Sequence, residues 1–349
     1  MKIIFICDTM GSGGAERVIS ILSNSFVNYG HGVSIIMLSK EATESFYKLD
    51  EKIKVLKLTN SRKKVGVLTK TKLLRKLLLK SKPDIVISFL SYVCIYTWLA
   101  LRHTKIPYIV SERNDPNQRG TFKQYLLNCS FRNASGCVFQ TEDALEWYKK
   151  VAKGKSLVIH NPVHLDYLPS KISKRNKQIL YVGRFTDQKN CLMLLDSFNL
   201  FIKKHPEYSL KLYGSGSLET EIKQKILNLN LTEKVTVLQN SKTWQKDEYN
   251  SAMFVLPSKY EGMPNVLAEA LCLGIPSVST NCTIGGPKEL KKFFKEGLVL
   301  SGEINAQSIF ESMEACLKCK AKESFIPKEL QSDFIVLKWL SFLKDIKKL

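Results

Sequence analysis

Short apolar runs alternate with helical patterns along most of this chain, and the alternation constrains its fold more than any other feature. Lys2–Cys7 is a short apolar run that leads into a glycine-rich turn, and Ala15–Tyr29 then places apolar side chains at helical spacing. Further runs of the strand type follow at Val33–Leu38, Ile53–Leu58, Ile85–Leu90, Ile106–Val110 and Ser135–Phe139. Strands that alternate with helices predict a parallel sheet covered by helices.

A second alternating series begins after a polar, proline-marked break at His160–Val163 and residues 169–177. Its strand patterns are Gln178–Val182, Ser209–Tyr213, Val235–Leu238, Met253–Leu256 and Ser277–Thr280. A chain of 349 residues is also longer than a single hydrophobic core usually accommodates. We therefore predict an α/β fold of two tandem Rossmann-like domains, residues 1–165 and 166–330, that face each other across a cleft. An amphipathic helix in residues 331–349 is expected to pack back toward the N-terminal domain.

The strongest signal for a binding site is the string Pro257–Ala270 in the second domain. A strand pattern ends at Leu256, an acidic and glycine-containing loop follows, and a helix is predicted to begin near Pro264. The N–H groups of a first helical turn, together with the helix dipole, favour phosphate. Glu261 precedes this turn and Glu269 follows it, so one carboxylate can face a sugar while the other reaches a ribose. The alternative is an acid near a helix start with Glu269 on a solvated face, which predicts neither the spacing nor the glycine and proline.

A second signal is the basic loop that follows Gln178–Val182. Gly183 allows close approach of backbone to a ligand, and Arg184 and Lys189 can both reach a diphosphate. These cations would neutralise charge as the phosphate leaves. A basic loop after a strand is more often a solvated surface than a binding site. Only its occurrence together with the string Pro257–Ala270 favours a role in ligand binding. Gly216 lies in a third glycine-containing loop at the end of a strand. A tight turn explains the glycines of this loop as well as a ligand-binding role does.

In the first domain, the turn Gly11–Gly14 would place the amides of Gly13 and Gly14 toward a cleft. It lacks both the Gly-Lys-Ser/Thr ending of a P-loop and the third glycine of the dinucleotide fingerprint. Polar residues also end the strand pattern Ile106–Val110, where Ser111–Pro116 contains Glu112 and Arg113. Their position at the carboxyl end of a strand favours a functional role over loop ordering.

The chain is strongly basic, with 53 Lys and Arg residues against 32 Asp and Glu and a net charge of +21. Such a surplus favours polyanionic partners. The segment Ser61–Lys82 alone holds nine basic residues and no acid, interspersed with leucines. A basic amphipathic helix of this kind is typical of docking on anionic lipid, although a solvated helix face explains it equally well.

Nine cysteines without a pattern indicate reduced, cytosolic thiols, and no signal peptide is apparent. The single C-x-x-C at Cys316 and Cys319 has no companion ligands, so no metal site is predicted. Residues Ile85–Leu101 carry no charge but are too short for a membrane span, and a buried strand followed by a buried helix explains them better.

The glycine turn, the basic loop and the glutamate pair described above resemble motifs of the GT-B-fold retaining glycosyltransferases of family four, of the bacterial surface-polysaccharide type. The resemblance extends over nearly the whole chain. It rests on Gly13–Arg17, Asn161–Val163, Gly183–Arg184 with Lys189, and the pair Glu261 and Glu269, which matches the family's E-x7-E motif.

The resemblance implies a nucleoside-diphosphate sugar held mainly by the C-terminal domain. Arg184 and Lys189 would hold the diphosphate, Glu261 the transferred sugar and Glu269 the ribose. The donor would also contact Gly183, Gly216 and the backbone of Met263, Pro264, Asn265 and Val266. The acceptor would lie near Gly13, Gly14, Glu112 and Arg113, where many relatives carry histidine at the position of Arg113. No cofactor or catalytic metal is implied, and no D-x-D occurs.

The expected activity is transfer of a hexose or N-acetylhexosamine, with retention, from a UDP-sugar to a glycan hydroxyl in surface polysaccharide biosynthesis. The acceptor is expected to be lipid-diphosphate-linked, with the enzyme cytoplasmic and peripheral on the inner face of the plasma membrane. One alternative is a UDP-sugar 2-epimerase, which would turn over its substrate without an acceptor. A nucleic-acid binder is the other, but no helix-turn-helix, RNP-type string or zinc finger supports it, so no nucleic-acid partner is predicted.

Overall fold

The computed structural model describes residues 1–39, 45–59, 65–113, 120–165, 167–169, 172, 174–241, 243–319 and 323–348. The chain forms two compact units. Unit 1 consists of Met1–Pro162 together with Glu329–Leu349, and unit 2 of Val163–Lys328. The boundaries expected after residues 165 and 330 lie within a few residues of these divisions.

Unit 1 is built on a parallel sheet whose strands are short and mostly apolar. Its strands are β1 (Lys2–Cys7), β2 (Gly32–Met37), β3 (Lys54–Lys57), β4 (Ile85–Phe89), β5 (Tyr108–Ser111), β6 (Gly136–Phe139) and β7 (Lys155–Val158). Within the described residues the order is β3-β2-β1-β4-β5-β6-β7. The edge strand β7 was not predicted, because only Val158 of its four residues is buried and the apolar run is correspondingly weak.

Helices cover both faces of this sheet. They are α1 (Gly14–Asn28), α2 (Val67–Ser81), α3 (Ser91–Leu101), α4 (Thr121–Arg132) and α5 (Glu142–Tyr148). Right-handed crossovers place α2, α3 and α4 on the face opposite α1. Accordingly α3 contacts both α2 and α4.

Unit 2 repeats this architecture with a smaller sheet. Its strands are β8 (Gln178–Val182), β9 (Ser209–Tyr213), β10 (Val235–Leu238), β11 (Met253–Leu256), β12 (Ser277–Thr280) and β13 (Leu298–Ser301). Its helices are α6 (Cys191–Lys204), α7 (Glu219–Asn228), α8 (Trp244–Asp247), α9 (Asn265–Cys272), α10 (Gly286–Phe293) and α11 (Ala306–Leu317). The order β10-β9-β8-β11-β12-β13 reverses direction at β8, as the order of unit 1 does at β1. Both are Rossmann-like, which confirms the predicted fold class.

The last helix, α12 (Ser332–Lys348), belongs to unit 1 although it follows unit 2 in the chain. Its apolar face, which includes Ile335, Trp339 and Leu343, is buried in the same core cluster as Phe5 and Phe89. The rings of Trp339 and Phe89 lie 6.0 Å apart between centroids. The predicted return of this helix to the N-terminal domain is therefore confirmed.

The uncharged stretch Ile85–Leu101 is divided between β4 and α3, as predicted. The two elements are separated by Leu90, whose φ of 74° ends the strand sharply. Across the described parts of the chain, every helix is too short or too polar to traverse a bilayer.

Candidate functional site

The predicted donor-binding residues lie on loops at the carboxyl edge of the unit 2 sheet. Strands β8 and β11 are direct neighbours, with Ile179 paired to Met253. Because they run parallel, the loops after them emerge side by side at the point where the strand order reverses. This is the position at which open α/β sheets bind their ligands.

Hydrogen bonds join these two loops to each other. The amide of Lys259 donates to the carbonyl of Gln188 at 2.8 Å. In return, the Gln188 side-chain Nε2 donates to the carbonyl of Tyr260 at 3.0 Å. An exposed ion pair between Asp187 and Lys259, at 2.6 Å, spans the same gap. These contacts therefore hold the two loops together. They are the basic loop after β8, which carries Arg184 and Lys189, and the loop after β11, which carries Glu261 and is called the glutamate loop below.

Two of the predicted site residues, Lys189 and Glu261, are in direct contact. The Lys189 Nζ lies 2.5 Å from Glu261 Oε1, and the two side chains are only 13% and 7% exposed. At this degree of burial, each charge offsets part of the hydration that the other has lost. The contact also fixes the orientation of the Glu261 carboxylate in the loop after β11.

Arg184 has a different environment from Lys189. Its side chain is exposed, and its Nη2 lies 3.3 Å from Gln188 Oε1. The Tyr181 hydroxyl donates to the Arg184 carbonyl at 3.0 Å, which holds the backbone of the loop. The loop thus carries one cation that is paired inside and one that faces solvent.

The start of α9 differs slightly from the prediction. The helix begins at Asn265, and Pro264 is its N-cap in an extended conformation, φ −75° and ψ 108°, rather than a residue of the first turn. The restricted φ of proline suits either position. Pro264 makes no side-chain hydrogen bond to the helix that it caps. Met263, Pro264, Asn265 and Val266 thus form the junction of loop and helix, as the sequence suggested.

Glu269 is buried, with 2% of its surface exposed, so it does not lie on a solvated face. Its Oε2 accepts a hydrogen bond from Gln245 Nε2 at 2.8 Å. Gln245 belongs to the four-residue helix α8 and is itself buried. Gln245 was not predicted from the sequence, because a single glutamine in so short a helix carries no pattern.

The glycine loops allow very close packing of backbone on backbone. A Cβ on Gly286 would lie 1.4 Å from the carbonyl oxygen of Gly262, and one on Gly216 would lie 2.4 Å from that of Phe185. The predicted donor contact Gly216 is therefore packed against the loop that carries Gly183 and Arg184. Gly286, at the start of α10, supports the glutamate loop in the same way.

In unit 1, the predicted acceptor-side residues also follow the carboxyl ends of strands. Gly13 is the N-cap of α1 and Gly14 is its first residue. Glu112 follows β5, is 3% exposed, and accepts a hydrogen bond from Ser91 Oγ at 2.9 Å. It also accepts from the amide of Arg113 at 2.8 Å.

Arg113 is buried beside these residues. Its guanidinium lies 3.8 Å from the ring centroid of Phe89, and its Nη1 donates to Asn161 Oδ1, which also accepts from Gln140. Burial lowers the pKa of Arg113 to about 9, with the nearby Glu112 acting in the opposite direction. Among the described residues, its Nε and Nη2 have no hydrogen-bond partner. The rest of the predicted polar string, residues 114–116, lies outside the described residues.

Two Rossmann-like units of this kind define the GT-B class of glycosyltransferases, and solved structures share the fold. Sucrose-phosphate synthase from Thermosynechococcus elongatus matches with a TM-score of 0.82 at 14% identity, over 99% of both chains. Anabaena HepE in complex with UDP and glucose matches with a TM-score of 0.79 at 16% identity, again over 99% of both chains.

Two family models match consecutive parts of the chain. Residues 12–167 match Glycosyltransferase Family 4, and residues 169–331 match Glycosyl transferases group 1. The chain belongs to this family of glycosyltransferases, which confirms the resemblance seen in the sequence.

Curated relatives of similar length support the assignment. The GalNAc-alpha-(1->4)-GalNAc-alpha-(1->3)-diNAcBac-PP-undecaprenol alpha-1,4-N-acetyl-D-galactosaminyltransferase of Campylobacter jejuni is 29% identical over 99% of both chains. The lipopolysaccharide 1,6-galactosyltransferase of Salmonella typhimurium is 26% identical, over 98% of this chain and 97% of the relative.

Proposed function

We propose that this glycosyltransferase moves a hexose or N-acetylhexosamine from a UDP-sugar to a hydroxyl of a lipid-diphosphate-linked glycan, with retention of configuration. The activity would serve surface polysaccharide biosynthesis. The observation that carries the proposal is the contact of Lys189 with Glu261 beside the start of α9, with Glu269 buried in the same helix. The Campylobacter jejuni relative, named for a PP-undecaprenol glycan, supports the acceptor class.

On the donor side, the start of α9 is a suitable seat for the diphosphate. The helix dipole and the amides of the first turn attract negative charge, and the N-cap Pro264 makes no side-chain hydrogen bond to them. Arg184 and Lys189 would neutralise the charge that develops on the leaving diphosphate. Glu261 would accept hydrogen bonds from the sugar and Glu269 from the ribose. Gly183, Gly216 and the backbone of residues 263–266 would complete the donor site.

On the acceptor side, the proposal assigns Gly13, Gly14, Glu112 and Arg113 to binding of the acceptor. The buried Glu112 carboxylate, oriented by Ser91, can accept a proton or a hydrogen bond from a hydroxyl. Attack of that hydroxyl from the face that the diphosphate leaves would retain the configuration of the sugar. Charge stabilisation is assigned to Arg184, Lys189 and the helix amides, and the reaction is proposed to need no cofactor or metal ion.

We also propose that the enzyme is cytoplasmic and docks on the anionic inner face of the plasma membrane through α2 and α4. On α2, Val67 and Leu68 are 56% and 78% exposed beside several lysines. On α4, Phe122 and Tyr125 are 72% and 65% exposed, so aromatic side chains suited to a lipid interface lie on the same face of the sheet. Arg62, Lys63 and Lys64, part of the basic segment seen in the sequence, lie outside the described residues.

A thermal-shift comparison of UDP-, GDP- and ADP-sugars tests the donor assignment. A ligand at one hundred times its Kd stabilises the folded protein by about 2.7 kcal/mol, so the correct donor is readily distinguished. We expect UDP-sugars to raise Tm most, and the shift to persist in excess EDTA. A larger shift with GDP- or ADP-sugars would contradict the donor class, and loss of the shift with EDTA would contradict metal independence.

A further inference from the structure

Gln188 makes three hydrogen bonds, two to the glutamate loop and one to Arg184 of the basic loop. It lies in the 3₁₀ turn Asp187–Lys189, directly before the buried lysine. Its backbone carbonyl accepts from the Lys259 amide, its Nε2 donates to the Tyr260 carbonyl, and its Oε1 accepts from Arg184 Nη2. No other described residue of this turn bridges the exposed cation and the glutamate loop.

The chemistry of the two partners dictates the orientation of the Gln188 amide. A backbone carbonyl can only accept, and a guanidinium can only donate, so Nε2 must face Tyr260 and Oε1 must face Arg184. The amide of a glutamine supplies a donor and an acceptor on adjacent atoms, as these two partners require. Gln188 therefore connects Arg184 to the residue that immediately precedes Glu261.

From this geometry we propose that Gln188 is a positioning residue of the transferase. It sets the guanidinium of Arg184 and the carboxylate of Glu261 in one fixed relation, so that the diphosphate and the sugar of the donor are held together. The inference rests on the donor site proposed above. Gln188 itself need not touch the donor, because it acts through the two residues that it aligns.

The isosteric variant Gln188→Met removes both side-chain hydrogen bonds and keeps the volume. We expect UMP to bind this variant as it binds the wild-type protein, because Glu269 and α9 are untouched. The factor by which UDP binds more tightly than UMP should fall roughly tenfold, since Arg184 is no longer held. Isothermal titration with UMP and UDP measures both quantities, and Gln188→Ala provides a second variant if the methionine protein is poorly folded.

A double-mutant cycle with Glu261→Gln tests the connection to the sugar. If Gln188 acts through Glu261, the loss of transfer rate caused by Glu261→Gln should be smaller in the Gln188→Met background than in the wild type. The matched control is Asp187→Asn, which removes only the exposed ion pair between the same loops. It should leave UDP binding and the transfer rate unchanged.

Three results would overturn the inference. These are an unchanged ratio of UDP to UMP affinity in Gln188→Met, strictly additive effects in the cycle, or an equal loss in Asp187→Asn. A purely structural role would lower Tm and weaken UMP and UDP by the same factor. If the wild-type protein binds neither nucleotide, the proposed function fails, whereas normal wild-type binding with an unaffected Gln188→Met refutes only the role of Gln188.

Discussion

In the proposed donor site, Glu261 combines two requirements that conflict in an isolated side chain. Its carboxylate is nearly buried, and one of its oxygens would accept a hydrogen bond from a sugar hydroxyl. The Lys189 ammonium at 2.5 Å stabilises the charge, and it contacts Oε1 of a carboxylate that has two oxygens. A neutral glutamine at position 261 would fill the same space, but it would lose the negative charge that strengthens a hydrogen bond from a hydroxyl.

We therefore expect Glu261→Gln to lower the transfer rate by roughly two to three orders of magnitude, the usual effect of removing one charge-stabilising contact. Tm should fall by about a few degrees, because the amide oxygen still accepts from Lys189 but no longer offsets its buried charge. Initial rates with a UDP-sugar and calorimetry measure the two effects. Glu219→Gln, at an exposed pair with Lys223, is the control and should alter neither. A Glu261→Gln enzyme with wild-type rates would refute the assignment.

At the scale of elements, neighbouring loops at the carboxyl edge of the unit 2 sheet support one another through backbone packing. The loop that carries Glu261 is joined to the loop after β8 by hydrogen bonds and is backed by the start of α10. At that second contact, Gly286 faces the carbonyl of Gly262 with no room for a methyl group. The position of Glu261 therefore depends on a residue of the next βα unit.

Gly286→Ala should displace the glutamate loop, because its Cβ would lie 1.4 Å from the Gly262 oxygen. We expect a destabilisation of about 1–3 kcal/mol, typical of overpacking, together with weaker UDP-sugar binding. Denaturant titration and nucleotide titration measure these effects. Gly302→Ala is the control, since no atom lies within 4 Å of a Cβ built there and its conformation is ordinary. Equal behaviour of the two variants would refute a supporting role for Gly286.

The sequence allowed some of these elements and residues to be predicted, but not others. Central strands such as β1 and β11 are apolar throughout and were predicted, whereas the partly exposed edge strands β7 and β13 were missed. Glu261, Glu269 and Lys189 could be proposed for the donor site from the sequence, because their spacing matches a motif. Gln188 and Gln245 were not, because their roles arise from hydrogen bonds that exist only after the loops have come together.

For the whole molecule, a net charge of +21 makes attraction to anionic surfaces the default, and the question is where contact is made. In unit 1, α2 and α4 lie on the same face of the sheet and combine lysines with exposed leucine, phenylalanine and tyrosine. On the other face, α12 exposes Leu337, which is 52% accessible. The two faces therefore allow a direct comparison.

We expect the protein to bind anionic vesicles and to dissociate as salt rises, since screening shortens the reach of its charges to about 8 Å at physiological ionic strength. Phe122→Ser combined with Tyr125→Ser should weaken this binding roughly tenfold or more, because buried apolar area is lost. Leu337→Ser should have no effect. Vesicle sedimentation at several salt concentrations measures the binding. Equal binding to neutral vesicles, or equal loss in Leu337→Ser, would contradict docking through α2 and α4.

The inclusion of α12 in the core of unit 1 has a consequence for biosynthesis of the protein. Residues 163–328 form a continuous segment that holds the described strands of its own sheet, whereas the first-synthesised unit lacks the side chains of Ile335, Trp339 and Leu343 until α12 has been synthesised. On the ribosome, the N-terminal half must therefore wait with part of its apolar interior uncovered while the following unit can already mature. Unit 1 is thus the first to be synthesised but the second that can complete its hydrophobic core.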